Sequence, residues 1–209
     1  MRLAVLSESS ADEAAIRIII DAIRGEATES VPSLDLRSRG WPSVERILPV
    51  VLKHLHYNTD AEGLAVVVDS DDSTIHQPDH EQSEIFLECR LCRLRNIVAS
   101  VQAGLTPVVN RSPLKCGIGL AVPAIEAWYR CGVDPQINEA AWVRHLQSQS
   151  ITYTRRSLKL AVYGTERPNI ETATRFAIDS ANRLSDNLQL LTRLFPNGFG
   201  ALARDITDW

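Results

Sequence analysis

Gly63-Leu64-Ala65-Val66-Val67-Val68-Asp69-Ser70-Asp71-Asp72 is the stretch that decides the fold. An apolar run rich in β-branched residues, opened by a turn-like Asn58-Thr59-Asp60-Ala61-Glu62 and stopped abruptly by acids, reads as a strand buried on both faces. Such strands belong to parallel sheets, and the acids then lie at the carboxyl edge where open α/β folds place their sites. The N-terminus repeats the pattern, with Leu3-Ala4-Val5-Leu6 followed by Glu8. A third core strand is expected over Cys116–Val122, preceded by a short one at Val108-Val109. Val31–Leu36 reads as a further short strand.

Between these runs the spacing of apolar residues predicts helices. Ser10-Ala11-Asp12-Glu13 has the spacing of a capping box and opens a helix closed by Gly25. Pro42–Leu55 reads as helical with a kink or break at Pro49. A long helix is expected over Ser83–Ala103, and a short one carries Ala124–Tyr129. Further helices are expected over Asn138–Gln147, Ser157–Val162, Ile170–Leu184 and Asp186–Phe195. Strands confined to the first part and separated by helices imply βαβ units. The expected fold is α/β, a parallel central sheet flanked by helices, with a core over residues 1–135 and a mainly helical extension over 136–209 packed on it.

The 209 residues suit one well-filled α/β domain, and the 44% hydrophobic, 23% charged composition is that of a globular chain. No uninterrupted apolar segment is long enough for a membrane helix, and Glu8, Asp12 and Glu13 interrupt the N-terminal apolar stretch where a signal peptide would be continuous. A cytoplasmic protein without membrane association is the expectation. The formal charge is −4, with the basic excess gathered in residues 142–209, a distribution suited to a polyanionic substrate beside an acidic, cation-seeking edge.

Clustered carboxylates repel one another unless a cation neutralises them or one remains protonated. If the backbone past Asp69 stays extended, Asp69 and Asp71 point to the same side and can reach one hard cation, with Asp72 completing its oxygen shell. Glu8, on a neighbouring strand end, is a candidate further ligand or acid/base, and Glu126 is a candidate addition to the metal set. Lys159, Arg155 and Arg156 are candidate phosphate contacts. Cys89 and Cys92 form a C-x-x-C, but inside the expected long helix, whereas zinc pairs sit on turns. Together with Cys116 and Cys131 they therefore read as buried reduced thiols. His54 and His56 read as surface or partly buried side chains, His76 and His80 as polar loop residues, and Arg90, Arg93 and Arg95 as an exposed stretch pairing with Glu84 or Glu88. There is no P-loop and no Gly-x-Ser-x-Gly elbow, which argues against nucleotide hydrolysis and a serine hydrolase.

A strand ending in Glu8, a helix opening with acids, a later strand ending in Asp69-x-Asp71, and the strand-then-helix Ile118–Tyr129 with its Ile125-Glu126-Ala127-Trp128 resemble the Toprim fold. The Ile118–Tyr129 segment is similar to the signature of an uncharacterised family of small Toprim-like proteins, related to overcoming-lysogenization-defect nucleases. Leu158-Lys159 and Tyr163-Gly164 match a later segment of that family, so the resemblance spans most of the chain. Ser9 stands where Toprim proteins usually carry Gly. The resemblance implies a Mg²⁺-dependent (or Mn²⁺-dependent) nuclease, with Glu8 as general acid/base and Asp69 and Asp71 as metal ligands. It also implies nucleic acid, DNA or RNA, and an ATPase as partners in defence against phage or mobile elements, with a homodimer as a further option. Two alternatives stand beside it. One is a non-catalytic Toprim-like interaction subunit, and the other a receiver-like phosphoacceptor domain.

Overall fold

A computed structural model describes residues 1–31, 40–81, 88–148 and 153–209. Four parallel strands, β1 (Arg2–Leu6), β2 (Glu29–Ser30), β3 (Gly63–Asp69) and β4 (Lys115–Ala121), form one sheet in the order β2-β1-β3-β4. β3 is central because Leu64 to Val68 are almost wholly buried, so it needs a covered face on both sides. Its register pairs Leu6 with Val66 on one side and Asp69 with Ala121 on the other. The chain leaves β1 for β2 in one direction and returns to β3 in the other, so the carboxyl ends of β1 and β3 flank the crevice where open sheets bind ligands.

The first helix, α1 (Ser10–Arg24), is capped one residue earlier than expected. Ser9 is the N-cap, its Oγ accepting from the Asp12 amide at 3.3 Å and donating to Asp12 Oδ2 at 2.7 Å. Gly25, at φ 70°, closes the helix as expected. Helix α2 (Trp41–Asn58) runs through Pro49 without a break. An internal proline costs about 3 kcal/mol, and the buried stripe of Val44, Leu48, Val51, Leu52 and Leu55 opposes that cost. Helix α3 (Arg90–Ala103) begins well after the expected Ser83. The segment 82–87 and most of the expected strand Val31–Leu36 lie outside the described residues. Val108-Val109 is not a strand.

After β4 come α4 (Ile125–Tyr129), α5 (Glu139–Ser148), α6 (Arg155–Tyr163), α7 (Ile170–Ser185), α8 (Leu188–Leu194) and α9 (Phe199–Thr207). The sequence reading missed α9. It packs along β4, and α7 lies on α1, while α2 packs against β3 and α3. Close approach of α9 depends on two glycines. A Cβ at Gly117 would stand 2.7 Å from Ile206 Cδ1, and one at Gly119 would stand 3.2 Å from Leu202 Cβ. Trp128 meets Phe199 edge-on at 5.3 Å between ring centroids, so the Ile-Glu-Ala-Trp helix is anchored by the C-terminal part. Among the described residues no helix is long and apolar enough to cross a membrane.

Candidate functional site

Glu8 follows β1 and reaches across to the end of β3, where its Oε1 accepts from the Asp69 amide at 3.0 Å. Asp69 is the last residue of β3 and its Oδ1 accepts from the Ile125 amide at 2.9 Å, tying β3 to the first turn of α4. That turn carries Glu126, which is 5% exposed. Its Oε2 has no hydrogen-bond partner, and Tyr163 lines the cleft beside it. The fourth acid, Asp12, was not among the expected site residues. Its Oδ2 accepts from Ser9 and its Oδ1 from the Tyr129 hydroxyl at 3.2 Å.

These four carboxyls line one cleft of about 480 Å³, whose opposite wall is α6. Arg155, Lys159 and Tyr163 follow one another at four-residue spacing, which places them on one helix face, and all three face the acids. That spacing is the signal by which Tyr163 could have been found, and Glu8 to Asp12 has the same separation. Arg156 does not line the cleft; it is exposed and pairs at 2.6 Å with Glu166, which lies on the cleft wall.

Charge crowding shows in the acids. Loss of water contact, then the fields of Glu126, Glu8 and Asp12, hold the Asp69 carboxyl well above the usual carboxylate range. Burial also raises Glu126, opposed by Lys159 and Arg155, and raises Glu8 against the stabilising Asp69 amide. Burial pushes Asp12 up to about 7 despite the hydrogen bond from Ser9. Burial is the largest cause in each case, and at Glu8, Asp12 and Asp69 the repulsion between neighbouring acids adds to it.

Asp71 and Asp72 do not sit where an extended backbone would put them. β3 ends at Asp69, Asp71 adopts φ 49°, and the amides of Ser70 and Asp71 donate to the carbonyls of Ala121 and Pro123 at 2.7 and 2.9 Å. The chain therefore turns. The Asp71 carboxylate is held from both sides, Oδ2 by Arg90 at 2.8 Å and Oδ1 by Arg155 at 2.6 Å, and Asp72 is exposed on the turn. Arg90 also donates to the Asp69 carbonyl at 2.7 Å.

The helical arginines are thus not simply exposed and paired within α3. Arg93 pairs with Glu45, and Arg95 with Asp205 at 3.1 Å; Glu84 lies outside the described residues. His56 is buried with Nε2 2.9 Å from the Thr106 carbonyl, consistent with a structural role. None of the four cysteines is in a disulfide.

The C-x-x-C does not lie in a helix interior. Because α3 starts at Arg90, Cys89 is its N-cap and Cys92 lies in its first turn. Among the described residues the one group of three or more His, Cys, Asp or Glu side chains with converging ligand atoms is His76, His80, Cys89 and Cys92. The acids of the cleft do not converge that tightly. Comparison of the chain with protein-family models, with curated proteins and with solved structures found no match.

Proposed function

We propose that this chain is a Mg²⁺-dependent phosphodiester-processing enzyme, a nuclease, with its reaction centre in the cleft between the ends of β1 and β3, α4 and α6. The observation that carries the reading is a buried carboxylate oxygen without a hydrogen-bond partner, Glu126 Oε2, beside Asp69 and opposite Lys159 and Arg155. The donor set fits a hard divalent cation. Its donors are oxygens, and Mg²⁺ needs only one or two carboxylates because it keeps several waters, so tight convergence of all four acids is not required. Asp69 and Glu126 would hold the ion. When bound, it would neutralise these carboxylates and stabilise negative charge on a phosphoryl oxygen.

The remaining steps fall to the chain's own groups. Glu8 keeps one oxygen on the Asp69 amide, and its raised affinity for a proton suits it to take one from an attacking water nearer neutrality than a solvated glutamate could. Lys159 and Arg155 offer charged donors to non-bridging phosphate oxygens, which the acids alone would repel. Tyr163 lines the cleft beside Glu126, and Asp71 holds Arg155. The Toprim resemblance of Glu8, Asp69 and the Ile125–Trp128 helix supports the same chemistry, and an ATPase partner in defence against phage or mobile elements belongs to the same proposal.

One observation favours a second reading, a non-catalytic subunit. Asp71 is occupied by Arg90 and Arg155 and is not available as a ligand in this arrangement. Calorimetric titration with Mg²⁺ and Mn²⁺, on the wild type and on Asp69→Asn/Glu126→Gln, followed by incubation with mixed DNA and RNA, separates the two. Metal binding and cleavage that both vanish in the variant are expected of the enzyme. Metal binding with no cleavage selects the subunit, and no acid-dependent metal binding overturns the mechanism.

A further inference from the structure

His76, His80, Cys89 and Cys92 come from a loop and a helix start that the sequence separates, yet their ligand atoms all lie within 4.8 Å of one another. His76 Nδ1 stands 3.7 Å from Cys89 Sγ and 3.4 Å from Cys92 Sγ. In a tetrahedral zinc site, with Zn–S about 2.3 Å and Zn–N about 2.0 Å, the sulfur-to-nitrogen edge is about 3.5 Å. The two observed distances bracket it. The imidazole of His80 stands edge-on to that of His76, with ring centroids 5.5 Å apart.

The chain spacing agrees with the geometry. His76-x₃-His80 and Cys89-x₂-Cys92 are each within the intervals that structural zinc sites use. Cys89 caps α3 and Cys92 lies in its first turn, where the positive end of the helix favours thiolates. His76 and Cys89 are almost completely buried. Two imidazoles and two thiolates are the donors that select Zn²⁺ over Mg²⁺ or Ca²⁺, and the two thiolates balance its charge.

We infer that these four side chains bind one structural Zn²⁺ ion that clamps the loop leaving β3 onto the start of α3. Four protein ligands fill the tetrahedron, so the ion has no open position for substrate and acts by tethering. What it tethers matters to the neighbouring cleft. Arg90 lies between the two cysteines, and its guanidinium holds both the Asp69 carbonyl and the Asp71 carboxylate. With the zinc clamp intact, the helix start that carries Arg90 is fixed relative to the end of β3. The assignment stands on the geometry of the quartet and not on the reading of the acidic cleft.

Metal content of the purified chain tests it directly. Elemental analysis should find one zinc per chain, retained through dialysis. Cys89→Ser/Cys92→Ser should lose it, whereas Cys131→Ser and Asp69→Asn should keep it. Because the double variant could fail to fold, the wild type supplies an independent readout. Exchange of zinc for cobalt(II) should give the intense visible bands of a tetrahedral ion and the near-ultraviolet charge transfer of thiolate ligation. A folded wild type that takes up no zinc, a cobalt spectrum without thiolate charge transfer, or zinc content unchanged in Cys89→Ser/Cys92→Ser would each overturn the assignment. Loss of Mg²⁺ binding in Asp69→Asn with zinc still in place leaves it standing.

Discussion

Asp12 shows how one buried carboxyl makes the folded state sensitive to pH. Its affinity for a proton is raised, from an ordinary pKa of 3.8 to about 7. Below about pH 4 both folded and unfolded chains hold that proton, and the group is neutral to stability. As pH rises the unfolded chain releases it first, so this contribution is lost progressively up to and through about pH 7, to a total on the order of 4 kcal/mol in metal-free buffer. Asp12→Asn should therefore match the wild type in urea unfolding near pH 4 and exceed it near pH 8. Equal midpoints at the higher pH would show that Asp12 ionises freely in the fold. Asp69→Asn carries a related expectation with a functional arm. An asparagine Oδ1 can still accept from the Ile125 amide, so the fold should persist and gain stability near neutral pH, because asparagine is neutral without having to take up a proton on folding. Mg²⁺-dependent cleavage should fall by at least about 100-fold if the proposed centre is right, as a gel assay of a labelled substrate would read. The C-x-x-C was visible as a motif, but its meaning turned on where α3 begins, and a shift of about two turns moved it from a helix interior to a helix start.

The helices owe their positions to devices of different legibility. Gly25 as a stop, through its left-handed φ, and the caps Asn169 and Thr154, each accepting from the amide three residues on, are local signals. The packing of α9 on β4 is not local. It rests on Gly117 and Gly119, which a strand reading registers only as weak β-formers. Gly117→Val should force Ile206 aside and cost about 1–3 kcal/mol, lowering the melting temperature by roughly 2–4 °C for each kcal/mol in a chain of this size. A melting temperature unchanged from the wild type would mean that α9 yields freely. Glu139 provides a second device. It is buried, and its carboxylate accepts from the amides of Asn197 and Gly198 at the entry to α9, with the shortest contact 3.0 Å. Glu139→Ala leaves those amides unsatisfied and should destabilise by about 1–3 kcal/mol in chemical unfolding, whereas Glu139→Gln should cost less.

At the scale of the whole molecule, the C-terminal helices are structural parts of the sheet's covering layer. α7 lies on α1, α9 lies on β4, and Phe199 anchors Trp128. A fragment ending at residue 135 would expose the apolar surfaces of α1 and β4, and it should show no cooperative melting and no near-ultraviolet dichroism; a cooperative transition in that fragment would make the extension dispensable. The parallel sheet and the delivery of Glu8 and Asp69 to its carboxyl edge were determined by the sequence alone, because a buried strand announces itself through consecutive apolar residues and the charge that ends it. Contacts between residues far apart in the chain decided the rest. Asp12, Glu126 and the Arg155-Lys159-Tyr163 face meet only once α6 lies across the ends of the strands. A single left-handed residue, Asp71, turns its carboxylate from the expected ligand position to Arg90 and Arg155. His76 and His80 join Cys89 and Cys92 only because the loop after β3 folds back on α3. Local patterning encodes which face of an element is buried, but the identity of its neighbours is set by how the whole chain closes its core, and that closure assembles both the acidic cleft and the His/Cys quartet.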